Sequence, residues 1–293
     1  MEPVNPPAPE RRRREALALA SASVPFRFKL TAVWVAMFAL VAVFFGLSGF
    51  DTTWMRENLL FIAQGLRITI LIAVIAIVLA IALALLGALG RLSRNPIAFG
   101  LSGFYTSFFR GTPLIVQMFL IYLALPQIGR NAPPWLRDIL ILDAVPAGIL
   151  ALGLNYGAYM TEIFRAGIQS VSGGQTEAAE ALGMNYLQKM RRVILPQAVR
   201  VIIPPTGNDF IAMMKDTALV SVLGATAGQL EIFRRAQLLG RADNRNLEAL
   251  VLSAALYWVL TSIFTYFQGR LEKRMSTGYI RTGGTPDRIP ARV

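Results

Sequence analysis

The chain has 293 residues, of which 55% are hydrophobic and 16% charged, and its mean hydropathy is +0.51. Because soluble domains carry about 25% charged residues, this composition indicates a polytopic membrane protein and excludes a purely cytoplasmic or secreted one. The absence of histidine and cysteine excludes disulfides, thiol nucleophiles, His/Cys zinc sites and histidine as a general base. A net charge of +12 is, in such a protein, typical of cytoplasmic loops rather than of nucleic-acid binding.

The amino-terminal residues 1–29 are predicted to form a disordered basic tail. They contain a proline-rich stretch at residues 3–8 and the four arginines Arg11 to Arg14, which we expect to contact anionic lipid on the cytoplasmic side. A cleavable signal peptide is not expected, because the apolar run after Lys29 is too long and lacks a clear small-residue cleavage site. This run, residues 30–50, has the length of a transmembrane helix.

Four further stretches have the length and apolar character of a transmembrane helix, which needs about 20 residues. They lie near residues 59–90, 105–126, 144–161 and 248–270. A fifth stretch, near 203–224, carries three charged residues and is predicted to be broken or polar on one side. Its prolines Pro204 and Pro205 are expected either to interrupt the start of the helix or to mark it. The sequence thus predicts an all-α membrane protein with about six transmembrane helices.

The distribution of Lys and Arg predicts that both termini lie in the cytoplasm. With the amino terminus inside, 18 of the 29 Lys and Arg residues fall in the inner segments and 7 in the outer loops, as the positive-inside rule requires. The inner segments are then residues 1–29, the turn near 91–104, the loop 166–202 and the carboxy-terminal tail. The weak point is the outer loop 225–247, which contains Arg234, Arg235, Arg241 and Arg245.

The longest inner loop, residues 166–202, is predicted to hold two short helices. Residues 177–182 are strong helix formers, and Gly183 can adopt the left-handed conformation that ends a helix. Asn185 is a candidate cap for the second helix, with Gln188 three residues later, and Pro196 sets where that helix stops or bends. A short helix with small side chains and acidic edges suits a groove on a partner protein, although ordinary surface helices share this composition.

The same loop resembles the EAA loop of the permease subunits of bacterial ABC importers. That pattern is Glu-Ala-Ala, three residues, Gly, nine residues, an aliphatic residue, one residue and then Leu-Pro, and Val193 stands here for the usual isoleucine. The resemblance implies that the loop forms the coupling helix that docks on the ATPase subunit. The residues on which this expectation rests are Glu177, Ala178, Ala179, Gly183, Leu195 and Pro196.

Three other stretches are very like those of the polar amino acid permeases in this family. They are residues 109–117, 154–165 and 215–220, and the likeness runs from about residue 58 to residue 272. The resemblance implies a five-helix ABC importer permease domain at 58–272, preceded by one additional helix at 30–50 and followed by a cytoplasmic tail at 273–293. Family members are commonly shorter at the front, so residues 1–57 look like an addition.

The resemblance also implies the partners and the location. The chain lacks a Gly-x-x-x-x-Gly-Lys-Ser/Thr loop, so we expect a non-catalytic transport subunit without a bound cofactor or metal, with ATP-Mg on a separate ATPase dimer. A second permease subunit, identical or paralogous, and an extracytoplasmic amino-acid-binding protein complete the implied transporter in the bacterial inner membrane. The transported amino acid stays open at this point.

Asn155, Tyr159 and Glu162 are candidate substrate contacts. They fall at i, i+4 and i+7 and therefore share one helical face. Polar groups inside a membrane usually face a cavity or a partner, and a carboxylate there could hold the α-ammonium or a cationic side chain of an amino acid. The resemblance implies that this region lines the substrate site. The alternatives are an ion pair between Glu162 and Arg165, and hydrogen bonds from Asn155 and Tyr159 to a neighbouring helix.

A second polar group lies in the predicted span 203–224. Asn208 and Lys215 are seven residues apart, as are Asp209 and Asp216, so the four cannot all face lipid. We expect Asn208 and Asp216 to face the substrate pathway. One residue of the adjacent pair Lys215 and Asp216 could instead meet the opposite permease subunit.

Two other functions compete with the importer. An ion-coupled secondary amino acid transporter would use Glu162, Asp209 and Asp216 to carry protons or sodium, but the EAA-type loop and the lack of an internal repeat argue against it. A membrane-embedded enzyme is disfavoured, because the chain has no His or Cys and no carboxylate cluster at a metal-ligand spacing. A requirement for ATP distinguishes the importer from the secondary transporter.

Overall fold

The computed structural model describes residues 25–47, 49–225 and 228–276. The predicted basic tail with Arg11 to Arg14 and most of the predicted tail at 273–293 therefore lie outside the described residues. Contacts divide the chain into two compact units, residues 1–54 and 55–293. All regular structure in the described ranges is helical, which confirms the all-α prediction.

The first unit contains helix α1 (Phe26–Leu47), which has 22 residues and none that is buried. Apolar side chains surround the whole helix, and its mean hydropathy is 2.4, a pattern that suits a membrane span. At the end of the helix, Phe45 stacks on Phe50, which follows the helix, with ring centroids 4.7 Å apart. Helix α1 overlaps the segment 30–50 and begins before it, and that it is an additional transmembrane helix stays a prediction.

Helix α2 (Thr52–Ala63) begins at the end of the first unit, and a break at Gln64 separates it from α3. The helices that follow are α3 (Gly65–Leu92), α4 (Pro96–Gly111), α5 (Leu114–Arg130), α6 (Pro134–Leu140), α7 (Ala144–Gln169), α8 (Gly173–Ala181), α9 (Tyr186–Lys189), α10 (Leu195–Asp216), α11 (Ile232–Ala242) and α12 (Asn246–Ser276). A π-helical turn (Met190–Ile194) leads into α10, and a 3-10 helix (Thr217–Leu223) follows it.

Length and composition identify the helices that can cross a membrane. Among the described residues these are α1, α2 with α3, and α12, and two bent pairs raise the number to five if each pair is one span. The pairs are α4 with α5, bent by 109°, and α6 with α7, bent by 77°. The span predicted at 105–126 therefore crosses a sharp bend, because Pro113 cannot donate the hydrogen bond that would continue α4. Helix α10 is not among these spans.

Helix α10 runs without a break through Pro204 and Pro205, so the prediction that these prolines interrupt or start the helix is wrong. A neighbouring helix supports this stretch: Gln268 of α12 donates its amide to the carbonyl of Pro204 over 2.8 Å. Gly207 allows this approach, since a Cβ there would lie 1.9 Å from Gln268 Oε1. Gln268 thus packs against α10 beside the two prolines, whose missing N–H groups would have donated to the carbonyls of Arg200 and Val201.

The centre of the second unit is the contact between α3 and α7, which small residues bring close together. The fully buried alanines of α3 include Ala76, Ala80, Ala84 and Ala88. On α7, a Cβ added at Gly153 would lie 2.5 Å from Leu79 Cδ2. Apolar burial from water does not drive helices together inside a bilayer, so close packing of this kind holds the bundle.

The two ends of the bundle are held by different contacts. At the end that carries the segment 170–194, termed the loop end, Glu162 of α7 lies 3.7 Å from Arg91 at the end of α3. At the opposite end, termed the far end, α11 packs on the start of α3. A Cβ added at Gly65 would lie 2.5 Å from the backbone nitrogen of Ile232. The candidate functional residues lie at these two ends and on the helices between them.

Candidate functional site

The segment 170–194 folds into two short helices, as predicted, and the first has its own cap. Gly183 has a φ of +72°, and the N–H groups of Gly183 and Met184 donate to the carbonyls of Glu180 and Ala179. These are the two hydrogen bonds of a Schellman motif, which favours a glycine at the left-handed position. The predicted role of Gly183 in ending the first helix is confirmed.

The second helix, α9, begins with the predicted capping box. Asn185 Oδ1 accepts the N–H of Gln188 over 2.9 Å, and Gln188 Oε1 accepts the N–H of Asn185 over 3.0 Å. The π-helical turn then leads directly into α10, of which Leu195 and Pro196 are the first two residues. Proline is tolerated in the first turn of a helix, so Pro196 starts α10 instead of ending α9.

An apolar surface is exposed at the tip of this segment. Leu182, Tyr186 and Leu187 are 77%, 68% and 73% exposed, and we term these three residues the tip cluster. Three large apolar side chains exposed within residues 182–187 of a polar loop, outside any core, are typical of an interaction site. The sequence analysis does not predict this exposed cluster. The signal for it is the presence of three large apolar residues close to Gly183 in an otherwise polar segment.

The residues that match the EAA pattern form an exposed and a buried set. The exposed residues are Glu177, Ala178, Gly183 and Pro196. Ala179 is buried and Leu195 is half-buried, so these two serve the packing of the segment on the rest of the chain. A partner can therefore reach the exposed set and the tip cluster without any rearrangement of the segment.

Asn155 lies against the bend between α4 and α5. Its amide donates to the carbonyl of Phe109 over 3.1 Å and to Gln117 Oε1 over 3.0 Å, while Gln117 donates to the carbonyls of Phe109 and Thr112. The last carbonyls of a helix lack intrahelical partners, and these two buried amides satisfy them. Asn155 thus forms the hydrogen bonds to neighbouring helices that were one of the two interpretations, and Gln117 is its unpredicted partner.

Glu162 forms ion pairs at the loop end. Its Oε2 lies 2.7 Å from Arg165 on the same helix, and its Oε1 lies 3.7 Å from Arg91 on α3. Arg165 also donates to Gln169, and the guanidinium of Arg91 lies 4.5 Å from the ring centre of Phe99. The predicted alternative, an ion pair with Arg165, is present. Arg91 could not be predicted because it lies on a different helix.

Tyr156 connects α7 with the acidic residues of α10. Its hydroxyl donates to Asp216 Oδ2 over 2.7 Å, and it also interacts electrostatically with Asp209 and Tyr159. Oδ2 of Asp209 is buried and has no hydrogen-bond partner in the part of the chain that the structure describes. The structure thus brings two predicted pathway residues, Tyr159 and Asp216, together around Tyr156, and it adds Asp209.

Two of the predicted pathway residues are exposed. The ring of Tyr159 lies below the guanidinium of Arg110, whose carbon is 5.4 Å from the ring centre, and Asn208 is exposed on α10. We term five polar residues on α7 and α10, of which Tyr156 is buried, the acidic surface: Tyr156, Tyr159, Asn208, Asp209 and Asp216. Within the described residues, no group of three or more His, Cys, Asp and Glu could hold a metal ion.

The described helices thus form an apolar bundle around a close-packed pair, with polar residues on two of the helices and a capped loop that exposes three large apolar side chains. Residues 80–277 match the family described as "Binding-protein-dependent transport system inner membrane component". This match covers more than half of the chain, and the chain belongs to this family.

Relatives and a solved structure agree with this family. The "Probable amino-acid permease protein YxeN" of Bacillus subtilis is 39% identical over 74% of this chain and 92% of its own length. The "Probable amino-acid ABC transporter permease protein PatM" of Vibrio harveyi is 39% identical over 80% of this chain and 100% of its own. A chain of the crystal structure of an amino acid ABC transporter with histidines is 36% identical with a TM-score of 0.67, covering 77% of this chain and 99% of that one.

Proposed function

We propose that the chain is the transmembrane permease subunit of an ATP-driven importer of polar amino acids, and that the segment 170–194 couples it to a separate ATPase subunit. The family and the amino acid permeases among the relatives support the transport function. The observation that carries the coupling is the tip cluster, three exposed apolar side chains on two capped helices beside Gly183.

The tip cluster suits a groove on a soluble protein. Burial of a large apolar side chain stabilises a complex by about 1.5–3 kcal/mol, and three of them offset much of the cost of association. The Schellman motif and the capping box already order this segment, so less conformational entropy is lost when it binds. The exposed members of the EAA pattern, Glu177, Ala178 and Pro196, contribute to the same docking surface in this proposal.

The partners and the orientation follow from this docking. The chain itself binds no cofactor, and ATP-Mg binds to the ATPase subunits, which face the loop end from the cytoplasm. The far end then faces the extracytoplasmic amino-acid-binding protein. The amino terminus is cytoplasmic, the protein crosses the inner membrane several times, and a second permease subunit, identical or paralogous, completes the pathway.

The arginines of the predicted outer loop are compatible with this orientation, because three of them form contacts within the protein: Arg234 donates to Gln237 over 2.9 Å, and the other two are Arg235 and Arg245. Arg235 donates to the carbonyl of Phe61 and to Gln64 at the end of α2, and Arg245 lies 3.4 Å from Glu248. An arginine bound to the carboxy-terminal carbonyls of a helix is placed by local electrostatics. The position of such an arginine is therefore weaker evidence for membrane topology than the position of a charge in a solvated loop.

The acidic surface is the proposed substrate contact. Asp209 and Asp216 attract the α-ammonium or a cationic side chain of an amino acid, and the two tyrosines and the asparagine of this surface offer hydrogen bonds. Asn155 and Glu162 lie on α7, which also carries the two tyrosines of this surface. We assign Asn155 the role of holding the bend between α4 and α5, and Glu162 that of tying α7 to α3 beside the pathway.

Reconstitution in proteoliposomes tests this function. The chain is co-expressed with its ATPase subunit and combined with the binding protein, and amino acid uptake is measured with ATP or with an ion gradient. We expect uptake that requires ATP and the binding protein, and a non-hydrolysable ATP analogue serves as the control. Uptake on the ion gradient alone would overturn the proposal, and Glu162, Asp209 and Asp216 would then be ion-coupling candidates.

A further inference from the structure

The far end contains a buried carboxylate that the substrate pathway does not use. Glu231 is 1% exposed and precedes α11, where its oxygens accept the N–H of Phe233 over 2.6 Å and that of Arg234 over 2.5 Å. Each of the first N–H groups of a helix needs such an acceptor. Glu231 therefore fixes the first turn of α11.

The same carboxylate binds a second helix. Tyr257 of α12 donates its hydroxyl to Glu231 Oε2 over 2.7 Å, and this hydroxyl also interacts with the hydroxyls of Thr69 and Thr217. Thr69 of α3 in turn accepts the N–H of Ile232 over 3.4 Å. We term Glu231, Tyr257, Thr69 and Thr217 the far-end cluster. It joins α3, α11, α12 and the 3-10 helix.

The far-end cluster is connected to the acidic surface through the backbone. Thr217 directly follows Asp216, the residue that Tyr156 holds through a hydrogen bond. On the other side, α11 presents Leu238 and Arg241 to solvent. Packed and hydrogen-bonded groups therefore connect α11 with the segment that carries Asp216, as a physical coupling between the two would need.

A structural cap alone does not explain a glutamate at this position. Ser, Thr, Asp and Asn cap helices well, whereas a buried carboxylate is costly unless several donors surround it. Three donors surround Glu231, one of them from α12. The longer side chain thus reaches a second helix that a short capping residue beside the α11 backbone would not reach.

We propose that Glu231 is a positioning residue that locks α11 to the segment carrying Asp216, so that the binding protein, when it contacts the far end, acts on the substrate pathway through this link. The inference rests on the proposed function, in which the far end faces the binding protein. It predicts that a variant without the Glu231 contacts keeps its basal ATPase activity but is stimulated less by the binding protein.

The test compares two buried glutamates of the far end in the reconstituted complex. Glu231→Gln keeps the size of the side chain but replaces one acceptor oxygen by a donor. Glu248→Gln is the matched control, because Glu248 is also buried but its ion pair with Arg245 lies at the turn between α11 and α12. Burial raises the pKa of the Glu231 carboxyl to about 7. The assay is therefore run at about pH 8, where this carboxyl is mostly ionised.

We expect Glu231→Gln to lower the stimulation of ATPase activity by the binding protein about tenfold, with basal ATPase activity and assembly unchanged. Glu248→Gln should keep the stimulation. Wild-type stimulation in Glu231→Gln, or an equal loss in both variants, would overturn the inference. A wild-type complex that hydrolyses ATP but is not stimulated by any binding protein would instead overturn the proposed function.

A second variant and a probe keep the inference testable if Glu231→Gln does not assemble. Tyr257→Phe removes one hydroxyl and should give a partial loss of stimulation. Because the chain has no cysteine, a nitroxide attached to Leu238→Cys reports on α11 alone, and we expect Tyr257→Phe to increase its mobility. Unchanged mobility together with unchanged stimulation would overturn the inference.

Discussion

The two ends of the second unit differ in how their short helices are held. At the loop end, α8 and α9 form their own caps and leave Leu182, Tyr186 and Leu187 exposed. At the far end, α11 is capped by Glu231, which is buried against α12. The loop-end helices are thus ordered without burying their apolar tip, and the far-end helix is ordered by being built into the bundle. This difference is what we expect if, as proposed, the loop end docks on a partner and the far end acts through its contacts with α12.

Glycines at the two ends show the same difference. Gly65 at the far end has the backbone of Ile232 against it, whereas nothing lies within 4 Å of a Cβ added at Gly183 at the loop end. Position 183 favours glycine because its φ is positive, and position 65 favours glycine because a larger side chain would meet the backbone of Ile232. Substitutions at these two positions therefore affect different properties of the protein.

The largest expected effect is at Gly65. Gly65→Ala places a Cβ 2.5 Å from a backbone atom that cannot move independently, and we expect a loss of about 3 kcal/mol of stability from overpacking. Gly100→Ala is the control, because that Cβ meets nothing within 4 Å, and it should be neutral or stabilising by up to about 1 kcal/mol. Thermal unfolding of the purified protein measures both, and equal melting temperatures would show that α11 does not pack tightly on α3.

The next effect concerns Gly183. Gly183→Val puts a β-branched residue at a φ of +72°, which costs about 1–2 kcal/mol and is relieved by a change in the angle between α8 and α9. We expect retention of the ATPase subunit in co-purification to fall by about tenfold or more, while the melting temperature of the permease alone stays unchanged. Gly174→Val, exposed in the first turn of α8, should retain the ATPase subunit. Loss of binding in both variants would refute a specific role for the turn.

A smaller effect is expected at the acidic surface. Asp216→Asn keeps an acceptor for the hydroxyl of Tyr156 but makes the proposed charged contact with the substrate neutral, and a hydrogen bond to a charged group contributes about 1–1.5 kcal/mol more than a neutral one. ATP-driven uptake at low substrate concentration should therefore fall by about tenfold, with normal assembly. Asp243→Asn, an exposed aspartate after α11, should transport normally. Wild-type uptake by Asp216→Asn would show that the charge of this carboxylate is not needed for contact with the substrate.

The smallest effect is expected for the ion pair between α8 and α9. Lys189 contacts Glu180, and the two side chains are 13% and 56% exposed; because the carboxylate is largely solvated, the pair contributes about 1 kcal/mol. Glu180→Gln should therefore leave both ATPase co-purification and the melting temperature close to wild type. A large loss of co-purification would mean that Glu180 contacts the ATPase subunit directly.

Contacts between residues close in sequence could be predicted, and contacts between helices could not. The caps at Gly183 and Asn185 follow from local backbone geometry, which a short stretch of sequence determines. The pairing of Tyr156 with Asp216 and of Glu162 with Arg91 depends on how the helices are rotated and shifted against each other. Residue spacing on one helix assigns a face but not the helix that this face meets.

The bend between α4 and α5 is a second example. The sequence contains Pro113, which breaks the helix. The carbonyls that this break leaves open are satisfied by Asn155 and Gln117, and their position beside the break is a tertiary contact. The sequence therefore identifies Asn155 as an unusual polar residue in an apolar span, whereas its partner Gln117 is identified only in the folded protein.

The most direct test of the coupling is photo-crosslinking from the two ends. The chain has no cysteine, so Leu187→Cys at the loop end and Leu238→Cys at the far end can each carry one benzophenone probe in the membrane-embedded complex. We predict a cross-link to the ATPase subunit from position 187 and none from position 238. A cross-link to the ATPase subunit from position 238, or from neither position in a complex that hydrolyses ATP, would contradict docking through the tip cluster.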